Sequence, residues 1–242
     1  MPSGPGSSRF LAFAPGQLRN VVTATSSTRS WKVKTGVQWR DLHERFGNWK
    51  TVYNRFYRWA HAGRWERIFN ELRLEVDPDE LGSLVDASVV RAHQDAAGGK
   101  GGSNEMLWGV LEEAFSTKIH AVTTTSGKPI HLALTPGQQH EATMADEMLV
   151  HAEGKALMAD TGYDSDHFIE NTRRVGMVPV IHSHPCRKKK RRLNRRLYGI
   201  RYRVECFFQD LKSFRAAATR YDKTATCYLA VLHVASMILW LK

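Results

Sequence analysis

Hydrophobic positions follow a helical period in the first third of the chain. Between residues 37 and 74, apolar and aromatic side chains recur every three or four positions. The pattern predicts three short helices, over residues 39–46, 49–62 and 65–72. Gly47 ends the first, and Asn48 is a typical N-cap for the second. This part of the chain is therefore predicted to be helical.

Beyond Asp77-Pro78-Asp79 the apolar period shortens toward two residues, which is typical of strands. Five strands are predicted, over residues 81–90, 117–125, 129–135, 156–160 and 177–181. Helices are predicted over residues 141–151, 165–174, 198–212 and 224–241, and a glycine-rich loop over residues 98–103. Ser126-Gly127-Lys128 predicts a hairpin, and Asp164 or Ser165 is the expected cap of the helix that follows. Strands interleaved with helices indicate a mixed α/β sheet flanked by helices.

These patterns divide the chain into three parts. Residues 1–35 are rich in Ser, Thr, Gly and Pro, and we predict an irregular leader. Residues 36–76 form a small helical region, whose first two helices and glycine turn resemble a helix-turn-helix unit. Residues 80–242 form the α/β domain. The proline at the boundary favours a break between the two, because it disfavours helix in the residue before it.

The net charge of +11 indicates an anionic partner. Ten basic residues and no acidic one lie between Arg187 and Arg203, so nucleic acid is the expected partner. A basic face that is only solvated and a membrane surface are the alternatives. Three widely spaced cysteines fit a reducing cytoplasm. The most apolar stretch, residues 227–241, is shorter than the roughly 20 residues of a membrane span, so no span is expected.

The second predicted helix carries Lys50, Arg55 and Arg58 at positions expected to be exposed. Such side chains suit DNA phosphates, and the helix-turn-helix pattern would bring them to a groove. The alternative is a three-helix packing module whose basic residues are only solvated. The pattern favours neither.

Four chemically distinct side chains, Tyr198, Arg201, Glu205 and Lys212, share one face of the helix predicted over residues 198–212. At about 100° of rotation per residue they fall within an arc of roughly 60°. A carboxylate flanked by cations that bind phosphate is what metal-dependent chemistry on a nucleic-acid backbone requires. This face therefore predicts further carboxylates elsewhere in the chain.

Two aspartates meet that expectation. Asp86 lies inside an apolar, β-branched strand, where a carboxylate is costly unless it is paired or binds a cation. Asp160 ends a short apolar strand beside a glycine turn, where open α/β sheets place ligand-binding groups. An outward-facing Asp86 on an edge strand and a turn-forming Asp160 are the alternatives. With Glu205 from a crossing helix, these acids would bind two Mg²⁺ ions about 3.5–4 Å apart, for which Mn²⁺ can substitute.

The segment from Tyr198 to Lys212 resembles the Tyr-x2-Arg-x3-Glu-x6-Lys signature of DDE transposases from bacterial insertion sequences. Other stretches resemble the five-like group of the insertion-sequence-four/five superfamily. They are Val85-Asp86-Ala87-Ser88, Ala159-Asp160-Thr161-Gly162-Tyr163-Asp164, Ala218-Thr219-Arg220-Tyr221-Asp222-Lys223, and Gly36-Val37-Gln38-Trp39-Arg40-Asp41-Leu42 with Arg45-Phe46-Gly47 after it. The resemblance as a whole extends over roughly residues 36–95 and 115–242.

This resemblance implies a ribonuclease-H-like catalytic fold that depends on Mg²⁺ and cuts and joins DNA strands at terminal inverted repeats. By motif, the catalytic triad and metal ligands would be Asp86, Asp160 and Glu205. The signature residues that contact DNA around them would be Tyr198, Arg201 and Lys212. The implied partners are double-stranded DNA, both as repeat ends and as target, and a second copy of the chain. The implied location is the nucleoid of the bacterial cytoplasm.

Two alternatives to a working transposase stay open on the sequence. One is a nuclease of the same fold that cuts without joining. The other is a catalytically impaired remnant that only binds DNA. It is favoured by residues 105–114, which are apolar and acidic where a Gly/Arg/Ser-rich turn is usual, and by residues 1–35, which lack an apolar helical lead-in.

Overall fold

The apolar runs that alternate with polar residues form one mixed sheet. The structure is a computed structural model that describes residues 31–73, 80–96, 109–111 and 114–241. Within these residues the sheet has six strands. They are β1 (Gly82–Arg91), β2 (Gly109–Leu111), β3 (Ala114–Thr124), β4 (Pro129–Pro136), β5 (Ala156–Ala159) and β6 (Val178–Ile181). The five strands predicted from the period are confirmed to within three residues at their ends.

Strand β1 lies inside the sheet, antiparallel to β3 on one side and parallel to β5 on the other. Strand β6 continues the parallel part beyond β5, and β3 pairs with β4 and with the short β2 on its other edge. The alternative of an edge strand carrying Asp86 is therefore wrong. The hairpin between β3 and β4 is confirmed, with Gly127 at a φ of 89°, which favours glycine.

Besides the helical residues 31–35, the described part of the chain has eight helices around this sheet. They are α1 (Trp49–His61), α2 (Arg64–Arg73), α3 (Ala145–Val150), α4 (Asp166–Arg174), α5 (Arg195–Tyr198), α6 (Tyr202–Lys212), α7 (Arg215–Ala218) and α8 (Ala225–Trp240). None of the helices in the described ranges is long and apolar enough to cross a membrane.

The two faces of the sheet bury two separate apolar cores, because neighbouring residues of a strand point to opposite faces. Leu84 contributes to the core under α6 and α8, whereas Val85 contributes to the core under α3 and α4. The mixed α/β sheet with helices on both faces is thus confirmed. Helix α6 crosses β1 on the first of these faces, and this position brings Glu205 toward the strand that carries Asp86.

The N-terminal helices share a core with the sheet. Phe56, Trp65 and Leu72 belong to the same apolar cluster as α6 and α8. The ring of Phe69 stacks on the ring of His233 in α8, with 5.1 Å between the ring centroids. Residues 36–73 are thus anchored to the C-terminal helix by buried aromatic side chains.

Two N-terminal predictions need correction. Residues 31–35, predicted as part of an irregular leader, are helical, because Val33 is buried in the core and Gly36 ends the turn at a φ of 68°. The helix predicted over residues 39–46 is instead two 3₁₀ turns, Trp39–Asp41 and Glu44–Phe46. The intervening Leu42 is extended and buried, which interrupts the helix. The remaining leader, residues 1–30, and the loop predicted at residues 98–103 lie outside the described residues.

Two other predicted helices are irregular. The helix expected over residues 141–151 begins as the 3₁₀ turn Glu141–Met144 and becomes helix α3 only at Ala145. The helix expected over residues 198–212 is interrupted by the 3₁₀ turn Gly199–Arg201, between α5 and α6. Glycine is a poor helix former, so the interruption falls where helix propensity is lowest. Tyr198 and Glu205 therefore do not belong to one regular helix.

Candidate active site

Asp86, in the middle of β1, and Asp160, just after β5, lie side by side where the parallel pairing of these two strands ends. Val85 of β1 and Ala159 of β5 are register partners, and the two aspartates are the residues that follow them. The Asp86 carboxylate accepts a hydrogen bond from the backbone N–H of Ala87 at 2.8 Å. That of Asp160 accepts one from the N–H of Thr161 at 2.7 Å. In both aspartates this bond is made by Oδ1, which leaves Oδ2 for other partners.

Glu205 is linked to Asp86 by the side chain of Arg201. The guanidinium Nη1 of Arg201 donates to Asp86 Oδ2 at 3.0 Å, and its Nη2 donates to Glu205 Oε1. The Glu205 side chain is 51% exposed, whereas that of Asp86 is 15% exposed. The guanidinium of Arg201 thus lies between the largely buried carboxylate of Asp86 and the more exposed carboxylate of Glu205.

Tyr198 and Lys212 contact the two strands that carry the aspartates. The Tyr198 hydroxyl lies 3.4 Å from Asp160 Oδ1. Lys212 Nζ donates to Ser88 Oγ at 2.7 Å and to the carbonyl oxygen of Val89 at 3.3 Å. Ser88 follows Asp86 on the same face of β1, about 7 Å along the strand. The four signature side chains therefore surround β1, although the helix that carries them is interrupted.

The ionised form of Asp86 is energetically unfavourable in this site. The pKa of Asp86 is raised to about 6, mainly by burial and in smaller part by the negative charges of Glu141 and Asp160. The N–H of Ala87 and the cation of Arg201 act in the opposite direction. In Arg201 burial alone would lower the pKa, but the neighbouring carboxylates raise it. Without a metal ion, Arg201 is thus the main cation that compensates this carboxylate.

The donor chemistry of the site fits a hard divalent cation, since its free oxygens belong to carboxylates. Within the described ranges, no three His, Cys, Asp or Glu side chains are already close enough together to hold a metal ion. The hydroxyl of Tyr163 is buried beside the site and has no hydrogen-bond partner among the described residues. Such an atom is expected to face water or an ion, which supports the fit. Asp86, Asp160 and Glu205 are the residues that would hold the ion, after Arg201 releases the carboxylates.

Two residues near this site were missed in the sequence. Glu141 resembles an ordinary acidic residue at a helix start, and Tyr163 was noted only as part of a motif without a role. Their proximity depends on how the segment after β4 folds over the turn Thr161–Tyr163, and no periodic pattern encodes this. Burial raises the pKa of Tyr163, as do the charges of Glu141, Asp86 and Asp160.

The basic segment is fixed beside the site by two acids. Asp164, a candidate for capping α4, instead accepts hydrogen bonds from Arg187 Nε at 2.9 Å and from Arg191. Ser165 caps the helix. Burial alone would raise the pKa of Asp164, but these partners lower it. Asp166 binds the same two arginines. The other basic side chains between residues 187 and 196 are exposed, namely Lys188, Lys189, Lys190, Arg192, Arg195 and Arg196.

The basic residues predicted on the N-terminal helix lie on α1. Lys50, Arg55 and Arg58 are all exposed there, while Phe56 points into the core. At about 100° per residue they span an arc of roughly 140°. Arg58 also donates to the carbonyl oxygen of Asn54 at 3.3 Å. These cations are thus on a separate element from the three carboxylates.

Comparisons with known proteins match most of this chain to transposase families. A family model described as "Transposase DDE domain" matches residues 77–240, and one described as "Putative transposase of IS4/5 family" matches residues 17–69. A "Putative transposase for insertion sequence element IS6501" from Brucella ovis is 34% identical over 132 residues, which are 52% of this chain and 99% of that protein. An "Uncharacterized protein y4sN" from Sinorhizobium fredii is 40% identical over 113 residues, which are 43% of this chain and 89% of that protein.

Proposed function

Because the chain belongs to the DDE transposases of insertion sequences, we propose that it cuts DNA at terminal inverted repeats and joins the freed ends to target DNA. This membership confirms the family that the Tyr198–Lys212 signature indicated. The observation that carries the proposal is the position of Asp86 and Asp160 side by side where the parallel pairing of β1 and β5 ends, with Glu205 linked to Asp86 through Arg201. We assign the catalytic role to these three carboxylates.

We also assign residues 80–242 to the ribonuclease-H-like class. Strands β1, β5 and β6 run parallel, whereas β3 and β4 extend the sheet in antiparallel fashion from the other side of β1. In such a mixed sheet, functional groups gather where the parallel strands end. The paired aspartates lie at this edge.

The chain's own groups would share the work of the reaction. A pair of Mg²⁺ ions, when bound, supplies Lewis-acid activation of the attacking oxygen and stabilises the leaving 3′-oxygen. Asp86, Asp160 and Glu205 fix the position of the reaction on the sheet. In cleavage, a water oxygen forms a bond to the scissile phosphorus and the 3′-oxygen leaves. In joining, that 3′-hydroxyl attacks a target phosphodiester in the same way.

Arg201 would change partners during this cycle. Its guanidinium neutralises Asp86 and Glu205 in the metal-free protein, and a fork of N–H donors also matches a phosphate. If Asp86 and Glu205 held a cation, Arg201 would be free to hold a DNA phosphate. Lys212 would contribute a positive charge beside Ser88, two residues after Asp86 on β1. The Tyr198 hydroxyl would donate a hydrogen bond to a phosphate oxygen, or its ring would stack on a base.

DNA would be held at two further surfaces. Exposed Lys50, Arg55 and Arg58 of α1, in the helix-turn-helix-like region of residues 36–76, contact phosphates of the repeat. The exposed lysines at 188–190, whose loop Asp164 fixes, extend the contact near the catalytic carboxylates. Since two repeat ends have to be held together, we propose a homodimer on DNA, working in the bacterial cytoplasm.

Labelled duplexes that carry the inverted repeats flanking the coding sequence test this function. With Mg²⁺ or Mn²⁺ we expect a nick that exposes a 3′-hydroxyl at the repeat end, followed by a product joined to unlabelled target DNA. Cleavage without a joined product would favour the nuclease. Salt-sensitive binding without any cleavage would favour the DNA-binding remnant, because phosphate contacts alone produce such binding.

A further inference from the structure

The carboxylate of Glu141 lies against the turn that follows Asp160. Its Oε2 atom is 2.8 Å from the position that a Cβ atom would take at Gly162, which is closer than real Cβ contacts allow. Gly162 belongs to the turn Thr161–Tyr163, whose first N–H is capped by Asp160. The absence of a side chain at Gly162 therefore creates the space in which this carboxylate comes near Asp160.

The nearest cation compensates Glu141 only partly. Lys118 Nζ lies 3.6 Å from Glu141 Oε1, but it donates a shorter bond, of 2.8 Å, to the carbonyl oxygen of Gln139. Asp160 caps the turn that contains Gly162, so the Glu141 carboxylate and the Asp160 carboxylate lie at the same turn. Carboxylates that are this close favour the binding of a further cation.

An independent observation points to a ligand in the same place. The side chain of Tyr163 is fully buried, and its hydroxyl has no hydrogen-bond partner among the described residues. Buried hydroxyl groups normally contact protein, ordered water or a ligand. Glu141, Asp86 and Asp160 all act electrostatically on this phenol. A buried hydroxyl without a hydrogen-bond partner among the described residues thus lies within electrostatic range of these carboxylates.

We propose that Glu141 is a fourth carboxylate of the metal site, which accepts hydrogen bonds from the hydration shell of the ion held by Asp86 and Asp160. The Tyr163 hydroxyl is the second group that contacts this shell. Mg²⁺ binds few protein ligands directly and keeps several waters, so a carboxylate at this distance acts without joining the direct ligands. The proposal rests on the proposed function, since it needs an ion at the catalytic aspartates.

Calorimetric titration of the full chain with Mn²⁺, without DNA, tests this role directly. We expect Glu141→Gln to weaken Mn²⁺ binding by roughly 10- to 100-fold, the usual cost of removing an outer-shell partner. Glu147→Gln is the matched control, because Glu147 is a half-exposed carboxylate on the same segment that pairs only with His131 among its described contacts. It is expected to leave Mn²⁺ affinity unchanged. Unchanged affinity in Glu141→Gln would overturn the proposal.

Two further variants separate metal binding from a structural ion pair. Lys118→Met removes the lysine that competes for Glu141, so we expect tighter Mn²⁺ binding, whereas a purely structural pair would make both variants weaken it alike. Gly162→Ala keeps every charge but displaces the flexible end of Glu141, and we expect weaker binding. In the Glu141→Gln background the alanine should add little, because both changes remove the same contact. Additive effects would contradict this.

Failure of the proposal can be told apart from failure of the proposed function. If Asp160→Asn abolishes Mn²⁺ binding and Glu141→Gln does not change it, the aspartates bind metal and only the role of Glu141 is wrong. If Asp160→Asn also leaves Mn²⁺ binding unchanged, the metal-dependent mechanism itself fails. Thermal unfolding of each variant shows whether the fold is retained.

Discussion

Asp86→Asn is expected to stop DNA cleavage and at the same time to stabilise the metal-free protein. The amide cannot replace a charged metal ligand, so transition-state stabilisation falls by several kcal/mol, and cleavage becomes at least about a thousandfold slower. The stability gain has a separate origin. The pKa of Asp86 is about 6 instead of 3.8, mainly because of burial. At neutral pH the folded protein therefore carries a negative charge that destabilises it relative to the unfolded chain.

The pH dependence fixes the sign of this second effect. A carboxyl group whose folded pKa is raised contributes no penalty well below its unfolded pKa of 3.8, where it is protonated in both states. The penalty grows as pH rises from 3.8 to the folded pKa of about 6, because in that window only the unfolded state ionises readily, and it is constant at higher pH. At pH 7 it amounts to about 3 kcal/mol. Wild type should therefore match Asp86→Asn at about pH 3 and become less stable than the variant by pH 7.

Urea unfolding in EDTA at several pH values, together with the labelled-duplex assay, measures both effects. Asp210→Asn is the control, because Asp210 is an exposed carboxylate on α6, outside the site. It should change neither cleavage nor the pH dependence of stability. A variant Asp86→Asn that cleaves like wild type would exclude the assigned role. One that is less stable than wild type at pH 7 would show that the pair with Arg201 outweighs burial.

The acids of the site could be predicted because local patterns encode them. Asp86 interrupts an apolar strand and Asp160 ends one, and parallel pairing of those strands places the two side by side. The contact between Arg201 and Asp86 could not be predicted, since it depends on how α6 crosses β1. Sequence spacing gave the correct neighbours for Tyr198 and Arg201 despite the interrupted helix, because a short 3₁₀ turn alters the rotation only slightly.

Other features of the chain depend on tertiary contacts, which the periodic spacing of hydrophobic residues does not predict. Leu42 has the spacing of a helical residue, but its burial needs an extended backbone, and the predicted helix is lost. Glu141 comes close to Asp160 only because Gly162 lacks a side chain. Asp164 has the sequence context of a helix cap, but its carboxylate accepts hydrogen bonds from Arg187 and Arg191, more than twenty residues later in the chain. Each of these contacts joins segments that are distant in sequence.

Arg220→Met is expected to cause the largest loss of stability. Arg220 is fully buried, and its guanidinium donates to Thr117 Oγ1 at 2.6 Å and to the carbonyl oxygens of Asp222 and Lys223. Its Cζ atom also lies 5.5 Å from the ring centroid of Tyr228. Methionine fills much of the volume but satisfies none of these acceptors. Breaking such a buried network costs about 3–5 kcal/mol.

The charge of Asp222 adds to this loss. Burial raises the pKa of Asp222, while the positive charges of Lys32 and Arg220 lower it. Without Arg220, Lys32 is the one of these two cations that still compensates the Asp222 carboxylate. The midpoint of thermal unfolding should fall by roughly 10 °C for a chain of this size, as followed by circular dichroism without metal or DNA. Arg215→Met is the matched control, since Arg215 is exposed on α7. A midpoint within a degree or two of wild type in Arg220→Met would contradict this account.

The effect of Arg220→Met on activity should follow from the fold alone. The backbone of Arg220 pairs with Ala92 and donates to the carbonyl oxygen of Arg91, so this residue fixes the end of β1 beyond Asp86. At a temperature where the variant is still folded, Asp86 and Asp160 keep their register, and Mn²⁺ affinity should equal that of wild type. Near the lowered midpoint, cleavage should fall in proportion to the folded fraction. Arg220→Met would thus lose activity only by unfolding, whereas Asp86→Asn loses it in a protein that is more stable.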